Sequence, residues 1–132
     1  MVSPLRVAVL GTGSLGKEHA RIYADLASAG EVVFAGVYDA SPEVGRRVAD
    51  KHQVRAFGSV AEAASASDAL SIVTPTSTHF ELARLLLDQG KHILVEKPMT
   101  DNAEQAAELV ELAQRQRCVL QVGHVERFNP VF

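Results

Sequence analysis

Apolar runs of strand length alternate along this chain with longer segments in which apolar residues recur at helical spacing. Leu5–Leu10 is the first run, and it ends in glycines. From Ser14 to Ala29 the side chains of Leu15, Ala20, Tyr23, Ala24, Leu26 and Ala27 share one helical face, with Gly30 as the terminating residue. A second strand, Val32–Tyr38, ends at Asp39. Ser41 then caps a helix with Pro42 at its first position, running to about Lys51. Val54–Phe57 predicts a short third strand, Val60–Ala66 a short helix, and Ala69–Val73 a fourth strand stopped at Thr74-Pro75. A helix from about Thr78 to Asp88 is closed by Gly90. His92–Glu96 is the fifth strand, Asp101 or Asn102 caps a long helix to about Arg115, and Val119–Val122 is the sixth strand.

The strand runs are nearly continuous in hydrophobicity instead of alternating, as expected when both faces of a sheet are covered. Six such strands joined by helical crossovers make an α/β fold, a doubly wound parallel sheet with helices on both faces. Its domain occupies residues 1–124. Composition agrees: 132 residues suit one domain, and 47% apolar with 22% charged residues is ordinary globular usage. Thirteen basic against sixteen acidic residues leave a net charge of −3, too mild to point to nucleic acid or a membrane surface. No apolar run approaches the ~18 residues of a membrane span. The N-terminal segment lacks the pattern of a secretory leader, and Cys118 is the single cysteine. The expectation is a cytoplasmic protein.

Gly11-Thr12-Gly13-Ser14-Leu15-Gly16 follows the first strand and opens the first helix. In this G-x-G-x-x-G pattern Gly11 permits the tight turn, Gly13 lets a pyrophosphate approach the backbone, and Gly16 lets helix and strand pack closely. Free N–H groups at the helix start then meet the anion. The strand–loop–helix context is that of a Rossmann fold. Asp39 lies at the end of the second strand, about 20 residues beyond the last glycine, where an acid takes the adenosine ribose hydroxyls. A carboxylate there repels a 2′-phosphate, so NAD is expected over NADP. Arg46 and Arg47 lie more than a turn into the next helix and read as a solvated face.

Ligands of open α/β sheets bind beyond the carboxyl ends of the strands. Thr74-Pro75-Thr76 and Glu96-Lys97-Pro98 end strands four and five, on the same edge as the glycine loop. A Lys97 ammonium there could hydrogen-bond a substrate hydroxyl and assist its deprotonation; an exposed lysine closing a strand is an equal reading. Glu96 could set the local charge balance, although strand neighbours point to opposite faces. Among the histidines, His19 reads as structural, His52 as solvated, and His92 has no assigned role. His79 opens a helix on the ligand edge, where a cofactor contact and a structural role are both open. His124 follows the sixth strand on that edge. No metal motif is present.

These segments resemble the N-terminal domain of the Gfo/Idh/MocA oxidoreductases. The resemblance rests on GTGSLGKEHAR at 11–21, VTPTSTHFELA at 73–83, GKHILVEKPMT at 90–100 and VGHVERFNP at 122–130. It implies a catalytic Lys97 that touches both substrate and nicotinamide ribose, in a Lys-Pro step that is often cis. It further implies that Thr74, Pro75 and His79 line the cofactor, that Glu96 approaches the nicotinamide end, and that Arg127 belongs to the first helix of a second domain. The substrate it implies is a sugar, a cyclitol or a nucleotide sugar. In such proteins the second domain supplies most of the substrate pocket and the acid–base histidine, a role His124 does not fill. Residues 125–132 are therefore expected to begin that domain, and these 132 residues alone to bind dinucleotide with little turnover. Two phenylalanines in this tail predict self-association or a loose tail. A freestanding redox-sensing module is the competing function. An S-adenosylmethionine domain shares the loop but leaves Glu96-Lys97-Pro98 unexplained.

Overall fold

The computed structural model describes residues 3–123. The strands are β1 (Leu5–Leu10), β2 (Val32–Tyr38), β3 (Arg55–Ala56), β4 (Ala69–Ile72), β5 (His92–Glu96) and β6 (Leu120–Gly123). The helices are α1 (Ser14–Ser28), α2 (Pro42–His52), α3 (Val60–Ser65), α4 (His79–Asp88) and α5 (Ala103–Gln116), with one 3₁₀ turn at Thr76–Thr78. All strand pairings are parallel, and the sheet order is β3-β2-β1-β4-β5-β6. This is the doubly wound Rossmann arrangement. The chain moves outward from β1 to β3, returns to β4 beside β1, and moves outward the other way. The reversal opens a crevice beyond the ends of β1 and β4, where ligands of such sheets bind.

Alternation along β1 divides the core. Val7 and Val9 face one side, in a core shared with Ala20 of α1, Phe34 and Val37 of β2, and Val48 and Ala49 of α2. Ala8 and Leu10 face the other, in a core that runs from Ala63 of α3 to Leu86 and Leu87 of α4 and on to Leu109 of α5. Leu10, Leu70, Ile72, Leu86, Leu87 and Leu109 are fully buried. Each such side chain contributes roughly 1.5–3 kcal/mol by leaving water.

Element ends follow local chemistry. Gly30 takes a left-handed φ of 78° just beyond α1. Asn102, of the two candidate caps, accepts the Gln105 amide at 2.8 Å, and the Ser59 hydroxyl accepts from Glu62 at 3.1 Å. Ser41 occupies the N-cap of α2 but caps nothing with its side chain; its own amide instead donates to Asp39. Strand β3 is two residues long instead of four: the Val54 amide turns back to the Ala49 carbonyl of α2, and Phe57 gives its amide to Val37 of β2 but its side chain to the core. His52 is half-buried, not solvated, with its ring centroid 6.2 Å from that of Phe34. His92 also has a role after all: its Nδ1 accepts the Val119 amide at 2.9 Å.

Candidate functional site

The glycine loop closes the end of β1 and packs against the turn after β4. Gly11 has a φ of 97°, and a Cβ there would stand 2.5 Å from the Val73 carbonyl oxygen. A Cβ on Gly16 would collide with the Gly11 carbonyl oxygen. Gly13 differs, since a Cβ there would meet open space. Gly13 is also the N-cap of α1, so no side chain takes the first amides of that helix. An open concavity of backbone donors at a helix start suits a phosphate-sized anion. Ser14 and Leu15 sit exposed at its rim; Leu15, 39% exposed, lies outside the buried face expected for it.

Asp39 ends β2 and is tied to this loop. One carboxylate oxygen accepts the Thr12 amide at 2.8 Å and the Thr12 hydroxyl at 2.7 Å; the other accepts the Ser41 amide at 2.8 Å. Burial would push this carboxyl up, but the hydrogen bonds from Ser41 and Thr12 together outweigh it and hold Asp39 below its ordinary value. A carboxylate offers about four acceptor positions. Three are filled from within the chain, which leaves Oδ1 as the oxygen with room for a further donor. Arg46 and Arg47 are exposed on α2, as expected.

The turn after β4 satisfies its own hydroxyls. Thr78 Oγ1 donates to the Pro75 carbonyl at 2.6 Å, so the 2.6 Å contact between the two threonines is donated by Thr74. His79 begins α4 and is 2% exposed. Its Nε2 lies 2.8 Å from the Thr74 carbonyl oxygen and its Nδ1 3.0 Å from that of Pro98. Both neighbours are main-chain carbonyls, from the turns after β4 and β5, and a neutral ring donates to one of them; this placement favours the structural side of the two readings left open for His79.

Glu96 and Lys97 part company at the end of β5. Lys97 is exposed, and the Lys97-Pro98 peptide is cis. Glu96 is buried at 6% exposure on the α1 face of the sheet, where its Oε1 lies 2.7 Å from His19 Nε2. One turn further along α1, the Tyr23 hydroxyl meets Ser71 of β4 at 2.6 Å. The His19–Glu96 contact spans 77 residues of sequence and is absent from the sequence reading, which had His19 as structural without a partner. A usable signal existed: a carboxylate at an inward position of a buried strand demands a donor.

The parallel sheet therefore brings Gly11–Gly16, Asp39, Thr74, Pro75, His79, Glu96 and Lys97 to one strand edge. A groove of about 660 Å³ between α4 and α5 opens on helix side chains instead, including Glu81, Leu85, Asp88 and Arg115. His124, Arg127 and the tail at 125–132 lie outside the described residues. Among the described residues no helix is long and apolar enough to cross a membrane, and no three His, Cys, Asp or Glu side chains are placed to hold a metal.

Residues 5–124 match the profile of the Gfo/Idh/MocA group, described as an oxidoreductase family with an NAD-binding Rossmann fold. The chain belongs to this family. Its relatives include the UDP-N-acetylglucosamine 3-dehydrogenase of Acidithiobacillus ferrooxidans, 42% identical over 96% of this chain and 39% of the relative. The inositol 2-dehydrogenase of Rhizobium meliloti is 35% identical over 97% of this chain and 38% of its own length. In three dimensions the Acidithiobacillus ferrooxidans enzyme superposes with a TM-score of 0.90 over 98% of this chain and 41% of that one. GenD2 from gentamicin A biosynthesis, solved in complex with NAD, is 30% identical with a TM-score of 0.85, covering 93% of this chain and 35% of that one. The chain spans about two fifths of the length of these curated relatives. As a Gfo/Idh/MocA dinucleotide domain it fits its cofactor type: the open cradle at Gly13 suits the pyrophosphate and the acid ending β2 suits a ribose.

Proposed function

We propose that this chain is the cofactor half of an enzyme that moves hydride between NAD and a hydroxyl-bearing carbon of a sugar, cyclitol or nucleotide sugar. The carrying observation is the shared strand edge: the glycine loop, Asp39 and the Glu96-Lys97-Pro98 step all end parallel strands on one side of the sheet. Relatives named for inositols and for a UDP-amino sugar support the substrate class.

The amides of Gly13 to Gly16 would receive the pyrophosphate. Asp39 would accept a ribose hydroxyl through Oδ1, and its charge opposes a 2′-phosphate at that place. The wall on the nicotinamide side would be the Thr74-Pro75 turn, with the His79 ring seated behind it between the Thr74 and Pro98 carbonyls. NAD, when bound, supplies the hydride acceptor. The Lys97 ammonium would donate a hydrogen bond to the substrate hydroxyl and stabilise the negative charge that grows on its oxygen as its proton passes to a base in the region that the relatives carry beyond this stretch. A cytoplasmic setting accords with the single thiol of Cys118.

Calorimetric titration of the chain with NADH and NADPH tests the cofactor assignment. Tighter binding of NADH is expected; tighter binding of NADPH would overturn the role given to Asp39. Substrate class is tested by NAD reduction with a panel of UDP-hexosamines and inositols, using protein that includes the region its relatives carry beyond this stretch.

A further inference from the structure

α1 packs over β1 and β2, on one side of the crevice. Two side chains on a single face of this helix reach the other side. Tyr23 bonds Ser71 on β4, and His19, one turn nearer the glycine loop, bonds Glu96 on β5. A carboxylate only accepts, so His19 Nε2 is the donor in this 2.7 Å contact. The pair is well enclosed, with side-chain exposures of 12% and 8%. Gly123 of β6 closes it from behind, since a Cβ there would stand 2.7 Å from Glu96 Oε1. The carboxylate is thus pinned among α1, β5 and β6.

His19 lies about one and a half turns beyond the start of the pyrophosphate helix. Glu96 is the residue before Lys97. Their bond therefore sets how far the strand-five end stands from the helix that would carry the pyrophosphate. The adenosine half of a dinucleotide runs from that helix toward β2 and Asp39, and the nicotinamide half runs across the crevice toward β4 and β5. We propose that His19, acting through Glu96, is a positioning residue for the nicotinamide half of the site; this rests on the NAD reading above. It touches no ligand itself.

ADP-ribose carries the adenosine, pyrophosphate and one further ribose but no nicotinamide, so it separates the two halves. Binding of NADH and of ADP-ribose is to be measured for the unsubstituted chain and for His19→Leu, His19→Gln and Gly123→Ala, with unfolding midpoints recorded for each. His19→Leu is expected to weaken NADH about tenfold, near the worth of one charge-assisted hydrogen bond, and ADP-ribose less than twofold. His19→Gln retains a donor and should recover most of the loss. Gly123→Ala displaces the carboxylate without removing either partner, and should lower NADH affinity in the same selective way. If His19→Leu does not fold, the other two variants decide. Equal weakening of both ligands, or NADH binding unmoved by His19→Leu and Gly123→Ala, would overturn the positioning role. An unsubstituted chain that bound neither ligand would instead remove the NAD reading, and this inference with it.

Discussion

The Asp39 carboxylate accepts both the amide and the hydroxyl of Thr12, so the acid that ends β2 is part of the glycine loop's own structure. Asp39→Asn keeps the shape but removes the charge and one acceptor. NADH affinity should fall about tenfold, while the penalty on NADPH shrinks, because the repulsion of a 2′-phosphate is gone. Fluorescence titration with both nucleotides checks this. An unchanged ratio of the two affinities would show that charge at residue 39 does not set the preference.

The same bonds make stability depend on acid. Asp39 is held below its ordinary value, burial opposing and the bonds from Ser41 and Thr12 prevailing. Asp68 is lowered by side-chain and backbone hydrogen bonds from Arg6. A depressed carboxyl contributes stability that is present above its unfolded value, near 3.9, and is lost as pH falls through the folded value. Denaturant midpoints taken from about pH 6 down to about pH 3 should therefore drop at the acid end, and Asp39→Asn should flatten part of that drop.

Glycines of the loop should separate by phenotype. Gly16→Ala drives a Cβ into the Gly11 carbonyl and is expected to destabilise by about 3 kcal/mol or more. Gly13→Ala meets open space in the protein, so stability should move by less than about 0.5 kcal/mol while dinucleotide affinity falls steeply. Chemical denaturation and calorimetric titration on the two variants distinguish fold from site.

His79→Leu removes the buried donor shared by two turns. Taking the ring N–H away from the Thr74 and Pro98 carbonyls should lower stability by about 1–3 kcal/mol, measured by urea unfolding. Nucleotide affinity should fall as well, because the walls formed by those turns move. A stable His79→Leu protein with intact binding would contradict this assignment.

How far the chain was legible depended on how local each cause was. The fifth strand runs from His92 to Glu96 in both sequence and structure, since a continuous apolar run between Gly90 and Pro98 admits one solution. The edges blurred: β3 shrank because pairing, not propensity, ends an edge strand, and Val119 fell outside β6 at 59% exposure. The loop, Asp39 and the strand-end segments were visible because parallel topology alone sends them to one edge. His19 with Glu96 and Tyr23 with Ser71 were not, because those bonds join residues brought together only by the packing of α1 across the crevice. His52 reads as polar in sequence, yet Phe34 covers part of its ring.

Because Gly11, Asp39, Thr74 and Glu96 each close a different strand, no one supersecondary piece holds the whole site: β1–α1–β2 carries only the glycine loop and Asp39. Recognition of the entire dinucleotide then requires the assembled sheet, and the ligand acts thermodynamically on the whole domain. At a concentration one hundred times its dissociation constant it would favour the native state by about 2.7 kcal/mol, a sizeable share of a small domain's total stability.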